Sequence, residues 1–190
     1  MNNRRTTSIH YEICKTQAEM YREMAYRGYD IEDFSNTYLK SDFCKNAFDT
    51  DWSYYQLLGC RECLEALFID TPVTKKNEQG YFDPDVAYWI GFTYRLLYIE
   101  TKIPSSMLSD TVTFETMYRY YPGLHTVDEE QAIDLICEDF GLSIDEDSLA
   151  KDKELEIMAL TGTIHKHVEE LRMQMEEHFE KYERDESNEL

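Results

Sequence analysis

The chain has 190 residues, 42% of them hydrophobic and 14% aromatic, which is enough to build the core of about one domain. Its formal net charge of −20 argues against DNA or RNA as a direct ligand, because such binding needs Lys and Arg to neutralise phosphates. No apolar run approaches the roughly 18 residues that span a bilayer, and the first residues lack the apolar region of a signal peptide. The sequence therefore predicts a soluble, cytoplasmic protein that contacts no membrane.

The negative charge is concentrated in the last third of the chain. Residues 126–190 hold 21 acidic and 6 basic side chains, whereas residues 1–125 hold 18 and 13. A field of this sign favours a protein partner with a basic surface. Solubility alone is the alternative explanation.

The five cysteines are an odd number in a chain long enough to fold without disulfides, so they are predicted to be reduced. Cys60 and Cys63 form a CxxC motif within an apolar helical pattern, and no second pair accompanies it. A redox or zinc site would need a different context. We therefore expect no metal and no cofactor.

The chain is poor in helix breakers, with 7 Gly and 4 Pro, and its apolar spacing is mostly helical. The sequence therefore predicts an all-α fold, with a compact multi-helix bundle over residues 1–142. The first predicted elements are a helix over 8–27 that stops at Gly28 and a second helix that Asp30 caps. A short helical turn within 41–50 and a helix from a Ser53 cap to Asp70 follow. Residues 71–82 are predicted to form a loop with room for a small hairpin.

The motif "DPDV" predicts the start of the central helix, with Asp83 as N-cap and Pro84 at the first helical position. The residues that follow, up to Ile99, are nearly all apolar, which is typical of a helix in the middle of a bundle. Gly91 lies inside this helix, where glycine costs roughly 1 kcal/mol relative to alanine. It therefore predicts the close approach of a neighbouring helix.

Arg95 is the lone charge of this central helix, and an unpaired guanidinium in a core costs several kcal/mol. We expect a buried ion pair with an acidic residue of another helix, with Asp128 as the first choice and Glu115 as the second. Together with His125, which precedes Asp128, these residues form a candidate polar cluster, either functional or structural. A histidine beside carboxylates can act as a general base, but no nucleophile or phosphate-binding loop accompanies it, so no catalytic residue is assigned.

Beyond Pro104, the predicted elements are a short helix over "SSMLSD", a helix over "TFETMYRYYPG" that stops at Pro122 and Gly123, and a helix ending at Gly141 that Thr126 caps, with Glu129 completing a capping box. Tyrosines are the candidate anchors for a protein partner, because rigid aromatic side chains bury a large area at low entropic cost. These candidate anchors are Tyr118, Tyr120 and Tyr121, with Tyr54 and Tyr55 earlier in the chain.

Residues 143–190 are predicted to form a separate part, one long acidic amphipathic helix to about residue 185. Its apolar residues from Ile157 to Tyr182 follow an eleven-residue repeat, which gives a narrow and nearly straight stripe. Such a stripe needs a partner, and three remain open: the bundle itself, a second copy in a homodimer, or another protein. The candidate partner-binding carboxylates of this tail are Glu169, Glu170, Glu176 and Glu177.

The string "DVAYWIGFTYRLLYIETKIPSSML", followed by "ETMYRYY" and "HTVD", resembles a family of small bacterial helical proteins with a YWIGYTYR-like segment and ETM and HTxD motifs. The similarity extends upstream to "RGYDIEDF" and to Asp49, Ser53 and Gln56, and it covers roughly residues 8–140. Such proteins are often encoded beside a predicted ADP-ribosyltransferase-like toxin. The resemblance therefore implies a role in a toxin–antitoxin-like or defence locus, while the acidic tail departs from the family pattern.

We therefore expect a non-enzymatic, protein-binding antitoxin-like or inhibitor protein. The alternative is an acidic mimic of nucleic acid that blocks the basic groove of a nuclease or another defence effector, in the manner of an anti-CRISPR protein. An enzyme that acts on an ADP-ribose-like group through His125 and Asp128 is the third class. The salt dependence of partner binding distinguishes the first two, because mimicry depends on charge.

Overall fold

The computed structural model describes residues 5–71, 73, 75–77 and 81–161, and the regular structure in this part of the chain is helical, as the sequence predicts. The helices are α1 (Ser8–Tyr26), α2 (Ile31–Leu39), α3 (Asp42–Ala47), α4 (Cys60–Asp70), α5 (Pro84–Thr101), α6 (Ser105–Thr111), α7 (Phe114–Leu124), α8 (Glu129–Phe140) and α9 (Glu146–Leu160). A single 3₁₀ turn, Tyr54–Leu57, precedes α4. Among the described residues of the loop over 71–82, an isolated antiparallel bridge joins Lys76 to Tyr29.

The chain divides into two units, Met1–Leu149 and Ala150–Leu190. The first unit includes Ile144, which packs against its core, and Leu149, which is buried in that core. Helix α9 begins at Glu146, and the part of the predicted long acidic helix after residue 161 lies outside the described residues. No helix in the described ranges is long and apolar enough to cross a membrane.

Local signals place several helix ends where the sequence predicts them. The Asp30 side chain caps α2 by accepting a hydrogen bond from the backbone N–H of Asp33 at 3.0 Å. Asp83 caps α5 in the same way, with Pro84 as the first helical residue. Gly141 ends α8 in the left-handed conformation, at a φ of 62°, which glycine adopts without steric cost.

α5 is buried along nearly its whole length and packs along α1, as expected of a central helix. Gly91 lies at the closest approach of the two helices. A Cβ atom on this residue would lie 2.7 Å from the ring of Tyr21 and 3.1 Å from the Cα atom of Ala18. The predicted role of Gly91 is therefore confirmed, since no larger residue fits between the helices without a shift.

Gly91→Ala is expected to lower the free energy of unfolding by about 1–3 kcal/mol, the usual cost of overpacking a core. Alanine is intrinsically the better helix former, so any loss of stability reports the contact with α1. Gly123→Ala in α7 is the control, because a Cβ atom there meets no atom within 4 Å. Urea unfolding of both variants checks this, and equal stabilities would show that the contact at Gly91 does not constrain the packing.

The prediction of one helix from Ser53 to Asp70 is wrong in its first part. Ser53 caps only the 3₁₀ turn Tyr54–Leu57, because Leu58 then adopts an extended conformation and Gly59 becomes the N-cap of α4. Cys60 is consequently the first residue of α4. Burial raises the pKa of both thiols of the CxxC motif, that of Cys63 to about 12, so helix position does not activate them.

Two predicted helix ends around His125 are also corrected. α7 runs through Pro122 to Leu124, and beyond the proline the backbone N–H of His125 still bonds the carbonyl of Tyr121 at 3.0 Å. Asp128 caps α8 in place of Thr126, and its carboxylate accepts the backbone N–H of Glu130 at 3.1 Å.

A buried acidic residue closes α5 at its carboxyl end. Glu100 is completely buried, and its carboxylate lies 2.7 Å from the guanidinium of Arg5. The same guanidinium also faces Glu130, at 3.9 Å, and Asp134, at 2.6 Å, so one cation serves three carboxylates. Burial raises the pKa of Glu100 to about 8; Arg5 opposes this shift, and Glu130 and Asp134 add to it.

Glu100 is expected to make the stability of the fold depend on pH. Its pKa in the folded state, about 8, lies above the ordinary value of 4.5, so the folded chain holds the proton more tightly than the unfolded chain. Its stabilising contribution is full below about pH 4.5 and is lost as the pH rises through about 8. Glu100→Gln, which has the shape of the protonated acid, should remove this loss. Urea unfolding at pH 6 and pH 9 checks this. Between these two pH values, the free energy of unfolding of wild type should fall by at least about 1.4 kcal/mol more than that of the variant.

The exposed Glu12, which pairs with Lys15 on the surface of α1, provides the matched Glu→Gln control. Glu12→Gln should keep the pH dependence of wild type. If Glu100→Gln also keeps the pH dependence of wild type, Glu100 is ionised in the folded protein near neutral pH, and its pKa is not raised.

Candidate protein-interaction surface

Arg95 is completely buried in α5, and all five of its N–H groups are engaged. The guanidinium pairs with Asp49, which follows α3, at 2.8 Å. The remaining hydrogen bonds go to Gln17 Oε1 (2.8 Å), the Phe48 carbonyl (2.9 Å), Ser105 Oγ (3.1 Å) and Cys44 Sγ (3.4 Å). The buried ion pair expected from the sequence therefore exists, and its contacts fully occupy the side chain.

The partner of Arg95 differs from both residues that the sequence suggests. Glu115 pairs with Arg119 on the surface of α7, and Asp128 is the cap of α8. Both expectations are wrong because the buried acid comes from the loop after α3, which no helical periodicity marks. The one sequence signal for it is the occurrence of Asp49 in the family resemblance.

His125 ends α7 on the protein surface. Its ring stacks on that of Tyr121 at 4.4 Å between centroids, and its Nδ1 atom lies 2.6 Å from the Tyr121 carbonyl. The contacts of Arg95, Glu115, His125 and Asp128 are thus separate, and the candidate polar cluster is not assembled around Arg95.

Arg95→Met should lower the free energy of unfolding by about 3–5 kcal/mol, because it leaves the buried carboxylate of Asp49 without its counter-charge. Adding Asp49→Asn should restore part of this loss, since no charge is then buried alone. Arg119→Met breaks only an exposed pair and should cost less than about 1 kcal/mol. Chemical denaturation checks all three variants, and an Arg95→Met chain as stable as Arg119→Met would contradict the ion-pair argument.

The three candidate tyrosines of α7 have different surroundings. Tyr118 is 51% exposed, whereas Tyr120 and Tyr121 are half-buried. The hydroxyl of Tyr120 donates to Asp139 at 2.5 Å, and this bond raises the pKa of Tyr120 to about 12. Tyr121 packs edge-on against Trp89 at 5.7 Å. Tyr118 is therefore the most exposed of the three candidate anchors. The tail candidates Glu169, Glu170, Glu176 and Glu177 lie outside the described residues.

Tyr118 lines a groove of about 540 Å³ between the start of α2, the described residues over 75–82 and the start of α7. We call it the aromatic groove. Phe82 packs against Tyr118 at 5.8 Å and against Phe114 at 5.9 Å, and Tyr81 beside them is 76% exposed. The sequence did not identify Tyr81 and Phe82 as functional, because they belong to a loop segment with no periodic pattern.

Acidic side chains surround the aromatic groove. Asp30, Glu32 and Glu115 line it, whereas Lys75 is its one basic lining residue within the described chain. The ammonium group of Lys75 lies 2.8 Å from the Asp30 carboxylate, so these two charges offset each other, and Glu115 pairs with Arg119. The three lining carboxylates still outnumber these two cations, so the groove combines aromatic faces with a small net negative charge, and both features favour a cationic ligand.

Comparisons of the chain with protein-family models, with curated proteins and with solved structures find no match. Across the described ranges, no group of three or more His, Cys, Asp or Glu side chains is placed to hold a metal ion. The functional argument therefore depends on the groove and on the charge of the chain.

Proposed function

We propose that the chain is a non-enzymatic, protein-binding protein of the antitoxin-like or inhibitor kind, and that it binds a partner with a basic surface. The observation that carries this proposal is the aromatic groove, which sets Tyr81 and Tyr118 among three carboxylates. Exposed tyrosines are frequent anchors of protein interfaces. A lysine or arginine of the partner gains both from the ring faces and from the acidic rim.

The charge of the whole chain supports the same kind of partner. A net charge of −20 attracts a basic protein over distances longer than a hydrogen bond and raises the rate of encounter. Close contacts in the groove then hold the complex after the encounter. The resemblance of "YWIGFTYR", "ETMYRYY" and "HTVD" to proteins encoded beside ADP-ribosyltransferase-like toxins favours such a toxin as the partner.

The alternative function is that of an acidic nucleic-acid mimic. It is favoured by the balance of 21 acidic to 6 basic residues over 126–190. In that case carboxylates take the place of phosphates in a basic groove, and apolar anchors matter little. Affinity should then fall steeply between about 50 and 200 mM salt, as it does for proteins that bind DNA phosphates.

The groove variant Tyr81→Ala with Tyr118→Ala tests the proposal. The full-length chain is used to capture its partner from source cells, the partner is identified by mass spectrometry and purified, and Kd is measured for each variant. The groove variant should raise Kd by at least about tenfold, because truncated aromatic anchors remove much of the binding free energy.

Tyr26→Ala is the matched control, because Tyr26 is 69% exposed at the end of α1 and does not line the groove. It should bind as wild type does. A nuclease partner that tolerates the groove variant but dissociates at moderate salt would favour the mimic instead. Turnover of an ADP-ribose-like substrate by the purified chain would contradict both functions.

A further inference from the structure

The loop after α3 places four apolar side chains at the surface within six residues. We call residues 52–57 the aromatic turn: Trp52 is 70% exposed, Tyr54 63%, Tyr55 36% and Leu57 69%. Single exposed apolar residues are ordinary, but contiguous exposed aromatic residues mark interaction surfaces. Trp and Tyr are also the residue types that contribute most to binding at protein interfaces.

Hydrogen bonds hold the backbone of this turn in one conformation. Ser53 and Gln56 form a capping box, in which Ser53 Oγ accepts the N–H of Tyr55 at 3.1 Å and the N–H of Ser53 donates to Gln56 Oε1 at 3.2 Å. The Gln56 amide also donates to the carbonyl of Thr50 at 3.0 Å, and the Cys63 thiol donates to that of Tyr55 at 3.4 Å. The exposed side chains therefore project from a backbone segment that hydrogen bonds hold in one conformation.

The backbone before the aromatic turn is attached to the protein interior by the ion pair of Arg95 and Asp49. Arg95 holds both the carbonyl of Phe48 and the carboxylate of Asp49, and Ser105 donates its N–H and its hydroxyl to the same carboxylate, each at 2.6 Å. The aromatic turn begins three residues after Asp49. The buried network of α5 thus helps to position this surface segment, together with Phe43 of α3, whose ring packs edge-on against Tyr55 at 5.1 Å.

We propose that the aromatic turn is a second docking surface, which inserts Trp52, Tyr54 and Leu57 into an apolar pocket with a cationic rim on a partner protein. The inference rests on the proposed function only in that the partner is a protein. A fixed turn needs little ordering on binding, so most of the free energy of burying these side chains is available for affinity.

The charge of the turn selects a basic partner over a second copy of the chain. Residues 46–60 contain no Lys or Arg. Arg95 pairs with Asp49 inside the protein, and Arg61 pairs with Glu65 on α4. The exposed Asp51 is therefore the charged residue directly beside the turn. Two turns facing each other would bring two Asp51 carboxylates together, on chains that each carry −20. Like charges at an interface oppose association, whereas a cationic rim complements Asp51.

A phage-displayed library of random linear peptides is the probe for this surface. It is selected on the full-length chain, and the enriched peptides are titrated against wild type, against Trp52→Ser with Leu57→Ser (the turn variant), and against Ile69→Ser. Ile69 is the matched control, because it is 79% exposed on α4 and outside the turn. The turn variant should raise Kd by at least about tenfold for peptides that combine apolar residues with Lys or Arg, while Ile69→Ser should leave Kd unchanged.

A second measurement follows the turn directly. In a Trp89→Phe background, Trp52 is the single tryptophan, and its fluorescence should shift to shorter wavelength when a peptide buries it. Circular dichroism checks that each variant retains its helices, which is expected because Trp52, Leu57 and Ile69 are exposed and Trp89→Phe keeps an aromatic ring at a partly buried position.

The inference is overturned if no enriched peptide depends on the turn, or if the Trp52 emission is unchanged at saturation. Peptides that lose affinity only for the groove variant, Tyr81→Ala with Tyr118→Ala, would support the proposed function and would contradict the aromatic turn as a docking surface. Peptides that depend only on the turn would support the inference and count against the groove. A dimer seen by sedimentation in wild type and lost in the turn variant would make a second copy the occupant, and would contradict the basic partner.

Discussion

The buried ion pair of Arg95 and Asp49 is the constraint on which the rest of the bundle depends. The guanidinium reaches α1 through Gln17, the segment after α3 through Asp49 and α6 through Ser105. A buried charge without partners costs several kcal/mol, so α5 can be the central helix only if these elements meet around it. Apolar packing therefore buries α5, while one polar interaction fixes which elements surround its middle.

The sequence predicted helix ends well where one local signal acts alone, as at Asp30, Asp83 and Gly141, because a cap involves only a few neighbouring residues. It failed where two signals lie close together. Thr126 and Asp128 are both good N-caps two residues apart, and only the three-dimensional path of the chain decides between them.

The partner of Arg95 could not be predicted for a different reason. Asp49 is separated from Arg95 by 46 residues and lies outside any helix, whereas the predicted candidates, Asp128 and Glu115, flank or belong to helices. Charge alone makes all three carboxylates equivalent. The groove was missed in a similar way: Tyr118 was recognised by residue type, but its neighbour Phe82 comes from a loop whose position only the fold defines.

The structure buries the ion pair of Arg95 and Asp49 and leaves several aromatic side chains exposed. A buried pair contributes little net stability, but it fixes the position of the segment that carries it. Exposed aromatic residues, in turn, favour self-association. The charge of −20 opposes this association, because two copies of the chain repel each other. In the proposed function the same charge both opposes self-association and attracts a basic partner.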